Sequence, residues 1–194
     1  MDPQPAFYFD LASPEAYLSA ERIMTLLPVA AEWIPIRGSQ LPALGDAAEQ
    51  KQLVEALADA RSLQTPRWPS PLPFDSEQAM LAATYAKQIG RTVPFALAAF
   101  RQAYAGGRSL DNDDNIVIAG SACEMHPAAL LKGCELRTVR DGLSNATDLA
   151  IERGVRDVPA VWVPDEGDGP GQLFHGDDQL EAAAAALSGQ VPTQ

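Results

Sequence analysis

Positive charge is scarce in this sequence of 194 residues, in which 14 lysines and arginines stand against 26 acidic residues, for a net charge of −12. The basic residues form no stripe that could follow a phosphate backbone, so the composition disfavours nucleic-acid binding. The sequence also lacks an apolar run near the ~20 residues that a membrane-spanning helix needs. Its first residues, MDPQPAF, show neither the basic nor the apolar segment of a secretory signal. We therefore expect a protein of the reducing cytoplasm that neither enters a membrane nor binds nucleic acid.

Cysteine and histidine are scarce as well, with two residues of each. Cys123 and Cys134 have no second cysteine or histidine at the spacing of a zinc site, so we predict two free thiols packed against helices and no bound metal. His126 precedes a proline and is expected at a helix start or in a loop. His175 lies close to a turn where it could contact a ligand, but a structural role is favoured.

The hydrophobic pattern predicts an alternation of strands and helices at both ends of the chain. AFYFD predicts a strand, SPEAYLSAERIMTLLP a helix and AEWIPI a second strand. Near the C-terminus, ELRTVRDGLSNATDLAIERG predicts a helix that ends at Gly154, VRDVPAVWVP and GQLFHG predict strands, and DDQLEAAAAALSG predicts a last helix. The chain therefore begins with a βαβ unit and ends with an αββα unit.

Between these two units the sequence is mostly helical. Helices are predicted near 46–63, 75–89, 93–105, 111–121 and 125–132. The connector TPRWPSPLPFDS carries four prolines and is expected to be extended and stiff. The predicted fold class is α/β, a thioredoxin-like fold (βαβ…αββα) with a large all-helical insertion. Its domains are a discontinuous thioredoxin-like domain, 1–38 and 134–194, and an inserted helical domain, 39–133.

The junction FYFDLASPEAYL places Ser13 and Pro14 where the first helix begins. A helix N-terminus carries unpaired N–H groups and a partial positive charge that stabilise an anion such as a thiolate. Taken alone, Ser13 is predicted to be the N-cap of this helix. In the thioredoxin fold, Pro159, at the start of its strand, is expected to follow a cis bond and to face this helix. Since Ser13 and Ala16 lack sulfur, dithiol exchange at this turn is excluded.

The sequence resembles the branch of the DsbA-like thioredoxin superfamily that contains 2-hydroxychromene-2-carboxylate isomerases and kappa-class glutathione transferases. The matching segments run in order along nearly the whole chain. They are FYFDLASPEAYL, RWPSPLPFDSEQAMLAATYAKQIGR, FALAAFRQAYAGGRSL, ATDLAIERGVRDVPAVWV and LFHGDDQLEAAAAAL.

The resemblance implies a glutathione site with assigned residues. Ser13 would donate a hydrogen bond to the glutathione sulfur, and the backbone of Val158, beside Pro159, would bind the cysteinyl part as an added strand does. The turn Gly176–Gln179 would hold the γ-glutamyl end, with Asp178 pairing with its ammonium and Asp177 beside its carboxylate. Lys51 would bind the glycyl carboxylate. Each acid could instead be an N-cap or a first-turn residue, and Lys51 a solvated lysine.

The implied function is a glutathione-dependent isomerase of an aromatic conjugated acid such as 2-hydroxychromene-2-carboxylate. The alternatives are a glutathione transferase or peroxidase acting on another electrophile, and a non-catalytic binding protein. The altered turn GDDQ, and Glu15 where the family often has an aromatic residue, favour the last. Trp68, Phe74 and Tyr104 are candidates for lining a substrate pocket between the two parts of the chain. Relatives suggest a homodimer.

Overall fold

In a computed structural model of the protein, residues 4–42, 47–165, 167 and 169–189 are described. Four strands form one sheet: β1 (Ala6–Phe9), β2 (Glu32–Pro35), β3 (Ala160–Val163) and β4 (Gln172–His175). Their order across the sheet is β2-β1-β3-β4. β1 is parallel to β2 and antiparallel to β3, and β3 is antiparallel to β4.

Eight helices accompany the sheet in the described part of the chain. They are α1 (Pro14–Leu26), α2 (Ala47–Ala60), α3 (Glu77–Gln88), α4 (Thr92–Phe100), α5 (Asp113–Ser121), α6 (Pro127–Cys134), α7 (Arg137–Arg153) and α8 (Leu180–Ser188). A π turn, Arg101–Ala105, continues α4. Gly154, with a φ of 98°, ends α7 in the left-handed region, as the sequence predicts.

β1 is buried on both faces because side chains alternate across a strand. Phe7 and Phe9 lie in the larger core. This core continues into the helical block, which consists of α2 to α6, as far as Phe100 and Tyr104. Ala6 and Tyr8 lie in a smaller core on the other face, where α7 contributes Ala150. One apolar cluster thus runs from the sheet into the helical block, which holds the two parts together around the end of β1.

The predicted thioredoxin-like fold with its helical insertion is confirmed, and each of the five predicted helices of the insertion is present within a few residues of its expected bounds. The proline-dense connector contains neither helix nor strand, as expected. The division into domains 1–38 plus 134–194 and 39–133 stays a prediction. No helix in the described ranges is long and apolar enough to cross a bilayer.

Gly133 of α6 packs directly against Tyr85 of α3. A Cβ atom at this position would lie 2.5 Å from the Tyr85 ring, inside van der Waals contact. We expect Gly133→Ala to lower the free energy of unfolding by about 1–3 kcal/mol, because overpacking forces the ring or the helices to shift. Urea denaturation measures this loss.

Gly142 on α7 is the matched control. There the nearest atom to an added Cβ, on Thr84, is at an ordinary contact distance of 3.5 Å. Gly142→Ala should raise the free energy of unfolding by up to about 1 kcal/mol, since alanine is the better helix former. Equal effects of the two substitutions would mean that the close approach of α6 to α3 does not constrain position 133.

Candidate functional site

A cavity of about 300 Å³ lies where the sheet, α1 and the helical block meet. The thioredoxin part contributes the end of β1, the start of α1 and the loop before β3, and the helical block contributes α2 and the start of α3. The residues from these segments that line the cavity include Asp10, Ser13, Pro14, Glu15, Leu53, Val54, Phe74, Glu77, Asp157 and Val158. The cavity therefore forms where sequence analysis expects a ligand.

Ser13 is the N-cap of α1 and also faces the loop before β3. Its Oγ accepts a hydrogen bond from Ala16 N at 3.1 Å and donates one to the carbonyl oxygen of Val158 at 3.0 Å. Pro14 at the first helical position leaves no N–H unpaired at that point. The hydroxyl is therefore both a cap of α1 and a donor to the loop before β3. The expected hydrogen bond from Ser13 to a sulfur stays a prediction.

The peptide bond between Val158 and Pro159 is cis, as the position of the proline in the fold predicts. The N–H of Val158 donates to the Asp157 side chain, whose Oδ1 lies 2.7 Å away. Burial raises the pKa of Asp157, and the bond from the Val158 N–H acts in the opposite direction. Both main-chain polar groups of Val158 are thus occupied by side chains of this protein.

Asp10 closes the cavity at the end of β1. Its two carboxylate oxygens accept hydrogen bonds from Ala12 N at 2.8 Å and from Gly38 N at 2.7 Å. Only 3% of Asp10 is exposed, and this burial raises the pKa of its carboxyl group despite the hydrogen bonds. The carboxylate fixes the β1–α1 loop against the loop after β2, and so fixes the position of Ser13 in the cavity.

Glu15 connects the start of α1 with the turn before α8. Its Oε1 accepts a hydrogen bond from Asp177 N at 2.7 Å. Gly176, with a φ of 89°, lies beside this contact, and a Cβ there would stand 3.0 Å from the same Glu15 oxygen. Because only glycine combines this φ with so close an approach, Gly176 allows the turn to reach Glu15.

Asp177 is fully buried in an ion network that does not line the cavity. Arg22 Nη1 lies 2.8 Å from its Oδ2, and Ser19 Oγ donates to Oδ1 at 3.0 Å. Arg61 Nε lies 2.7 Å from Oδ2 without hydrogen-bond geometry. Arg22 also pairs with Glu181. The carboxylate of Asp177 thus faces two arginines, and its implied place beside the γ-glutamyl carboxylate stays a prediction.

The remaining predicted contacts stay predictions. Asp178 is exposed and Lys51 places its Nζ 5.6 Å from the centre of the Trp68 ring, and neither is among the described residues that line the cavity. Of the three candidate aromatic residues, only Phe74 lines it. Tyr104 lies in the core with its ring centroid 5.6 Å from that of Tyr17.

The charged side chains of the lining are mostly acidic. Among the described residues of the lining they are Asp10, Glu15, Asp75, Glu77 and Asp157, against the single cation Arg37. Arg37 holds Glu77 through two hydrogen bonds of 2.7 and 2.8 Å, so its charge is already paired. The motifs do not predict this acidity, although the strand-ending aspartate of FYFD and the aspartate of DVP are both visible in the sequence.

The two cysteines and the two histidines lie outside the cavity lining. Cys123 and Cys134 are free and buried, as predicted, and burial raises the pKa of Cys134 to about 11. A thiol held protonated in this way is a poor nucleophile. His126 is the residue before α6, as expected, and His175 accepts a hydrogen bond from Arg156 N at 3.2 Å, a structural role. In the described residues, no group of three potential metal ligands occurs.

Glu15 should make stability depend on pH. Burial raises its pKa, and the charges of Asp157, Asp177 and Asp178 act in the same direction. A carboxyl whose pKa is raised by folding contributes stability that is present below the unfolded-state value, about 4.3, and is lost as the pH rises through the folded-state value. Relative to Glu15→Gln, the wild type should therefore lose stability from about pH 4 upward.

Urea denaturation of both proteins across this pH range measures the difference. Glutamine keeps an oxygen that can accept from Asp177 N, so the comparison isolates the charge. Glu152→Gln, at an exposed position of α7, removes the same charge elsewhere and serves as the control. If the free energy of unfolding of the wild type instead rises relative to that of Glu15→Gln as the pH rises, the environment assigned to Glu15 is wrong.

Comparison with known proteins identifies the fold of this arrangement. The family model of the DSBA-like thioredoxin domain matches residues 6–188. A structure of a 2-hydroxychromene-2-carboxylate isomerase is 16% identical, covers 97% of this chain and 96% of its own, and gives a TM-score of 0.81. A probable DsbA oxidoreductase from Streptomyces coelicolor is 16% identical over 98% of this chain and 92% of its own, with a TM-score of 0.72.

The cytosolic disulfide reductase DsbM from Pseudomonas aeruginosa, in a structure with glutathione, is 14% identical over 97% of this chain and 98% of its own. Its TM-score is 0.64. Identities this low show a shared fold, and activity has to be argued from the site. None of the curated proteins matches the sequence significantly.

Proposed function

Because the chain belongs to the family of DsbA-like thioredoxin domains, we propose that it binds glutathione in the cavity and catalyses the isomerisation of an aromatic conjugated acid such as 2-hydroxychromene-2-carboxylate. The observation that carries the proposal is the position of Ser13. Its hydroxyl lies at a helix N-terminus, in the cavity lining, and 3.0 Å from the carbonyl of Val158. Glutathione is abundant in the reducing cytoplasm, where we place the protein.

The sulfur end of glutathione fits the residues present. A hydroxyl has one donor hydrogen, and that of Ser13 points to Val158 O. A peptide-like thiol that pairs with Val158 as an added strand brings its own N–H to this carbonyl. The Ser13 hydroxyl is then free to rotate and to donate to the sulfur, so each donor keeps an acceptor.

When bound, glutathione would supply a thiolate, the nucleophile that isomerisation of the conjugated acid requires. Ser13 and the α1 N-terminus stabilise the negative charge on that sulfur, and Asp10 holds the loop that carries Ser13. Phe74 and Val54 provide apolar surface for an aromatic ring on the helical side of the cavity. The protein's own residues thus position and activate a borrowed nucleophile.

The carboxylates of glutathione fit less well. Among the described residues of the lining, Arg37 is the one cation, and it is held by Glu77. This observation favours a second candidate, a non-catalytic binding protein of the same fold. A glutathione transferase would use the same sulfur site. Disulfide exchange through Ser13 and Ala16 remains excluded because neither side chain contains sulfur.

Calorimetric titration with glutathione at millimolar concentrations tests the proposal first. We expect saturable binding to the wild type and weaker binding of S-methylglutathione, which cannot form a thiolate. Turnover of 2-hydroxychromene-2-carboxylate with glutathione would identify the isomerase, whereas conjugation of a generic electrophile would identify a transferase. If glutathione does not bind saturably, both enzymatic functions are wrong and the non-catalytic candidate remains.

A further inference from the structure

The two main-chain groups of Val158 are occupied in different ways. Its carbonyl accepts from Ser13 Oγ at 3.0 Å, and its N–H donates to Asp157 Oδ1 at 2.7 Å. A hydroxyl can give up its acceptor and take another, because it rotates and both donates and accepts. A carboxylate only accepts. The Val158 N–H is therefore held by a full negative charge that a ligand would have to displace.

Displacement of Asp157 would be unfavourable for an extended peptide. The peptide carbonyl offers Val158 N–H a neutral acceptor in place of a charged one, and charge-assisted hydrogen bonds are the stronger kind. The displaced carboxylate would remain in the cavity, near Glu15, whose pKa its charge already helps to raise. Arg37 cannot compensate because it pairs with Glu77.

Asp157 can accept from a further donor through its second oxygen, Oδ2. Among the described residues no donor contacts this oxygen, and the side chain lines the cavity beside Ser13 and Val158. A protonated amine on a ligand would give Asp157 this donor while leaving its bond to Val158 N–H intact. The same ligand's sulfur would lie at the start of α1, next to Ser13. An amine and a thiol on one small molecule thus match the two sides of the cavity.

We propose that Asp157 is a specificity-determining residue of the thiol site, favouring thiols that carry a protonated amine close to the sulfur and disfavouring thiols that must place an acceptor on Val158 N–H. The inference rests on the proposed function for the thiol site itself, but it concerns which thiol is bound. It assigns to this chain a preference for cationic aminothiols over anionic thiols, and predicts that glutathione binds more weakly than it would without Asp157.

Two probes of matched length test the preference. Cysteamine and 3-mercaptopropionate place an ammonium or a carboxylate at the same distance from the thiol. Titration followed by NMR chemical shifts should show wild-type protein binding cysteamine at least about tenfold more tightly than 3-mercaptopropionate. Asp157→Ala, which removes both the charge and the acceptor, should abolish most of this ratio and bind glutathione more tightly than the wild type.

Asp157→Asn separates the contribution of the negative charge from that of the hydrogen-bond acceptor. Asparagine keeps an oxygen that accepts from Val158 N–H but carries no charge, so its ratio should lie between those of the wild type and Asp157→Ala. Asp114→Asn, at an exposed position in the first turn of α5, is the control for net charge and should keep the wild-type ratio.

The outcomes separate this proposal from the proposed function. Thiol binding with the same cysteamine preference in all variants would overturn the role of Asp157 and leave the thiol site standing. Cysteamine binding that depends on Asp157, with no glutathione binding to the wild type, would support the role of Asp157 and overturn glutathione dependence. No binding of any thiol to the wild type or either Asp157 variant would overturn both.

Discussion

Asp177→Asn should lower the free energy of unfolding by about 3–5 kcal/mol, the largest stability effect that we expect from a single conservative change in this protein. The wild-type carboxylate is fully buried and lies within 3 Å of Arg22 and Arg61, whose side chains are only 12% and 15% exposed. Asparagine has nearly the same shape but no charge. It would leave two largely buried guanidinium groups without their shared anion.

The network also connects three separate elements. Ser19 and Arg22 belong to α1, Arg61 directly follows α2, and Asp177 precedes α8. Loss of the charge should therefore loosen the helical block from the thioredoxin part, next to the cavity. Thermal and urea unfolding measure the effect.

Asp178→Asn is the matched control, since it removes the same charge one residue further on at an exposed position. We expect a change below about 1 kcal/mol there, the range of surface charges near a helix start. If Asp177→Asn were no more destabilising than Asp178→Asn, the buried network would contribute little to the stability of the fold.

Ser13→Ala should reduce glutathione-dependent turnover by about 10- to 100-fold. A hydrogen bond to a charged acceptor contributes roughly 1.5–3 kcal/mol, and each 1.36 kcal/mol corresponds to a factor of ten in rate. Alanine also removes the cap that accepts from Ala16 N, which should cost about 0.5–2 kcal/mol of stability. Turnover has to be measured at a temperature at which the variant is shown to be folded, and at a saturating concentration of glutathione.

Ser39→Ala separates the role of Ser13 from a general effect of removing a hydroxyl from the cavity. Ser39 lines the same cavity, at an exposed position after β2. Its substitution should leave turnover within about twofold of the wild type, a change of under about 0.5 kcal/mol in the barrier. If Ser13→Ala loses stability but keeps full turnover, Ser13 is only a cap.

The junction of β1 and α1 could be predicted because its signals are local. An aromatic strand, a serine that can cap and a proline suited to the first helical position lie within eight residues, from Phe7 to Pro14, and each favours the same structure. The position of Pro159 followed from the order of elements in the fold. These short-range features locate the cavity and Ser13.

The acidic side of the site could not be predicted in the same way. Asp177 meets Ser19, which is 158 positions away in the chain, and Gly38 meets Asp10 across 28 positions. The resemblance to a family predicts that the turn Gly176–Gln179 lies near a ligand, but it does not give the direction of each side chain. Asp177 points inward to the arginines, and the neighbouring Glu15 and Asp157 face the cavity instead.

The central claim is that Ser13 stabilises a thiolate that a ligand supplies. Ultraviolet thiolate absorbance of bound glutathione, followed against pH in the wild type and in Ser13→Ala, tests it most directly. The loss of one charge-assisted hydrogen bond predicts that half of the thiol ionises at a pH about one to two units lower in the wild type than in the variant. Ionisation at the same pH in both proteins would contradict the account.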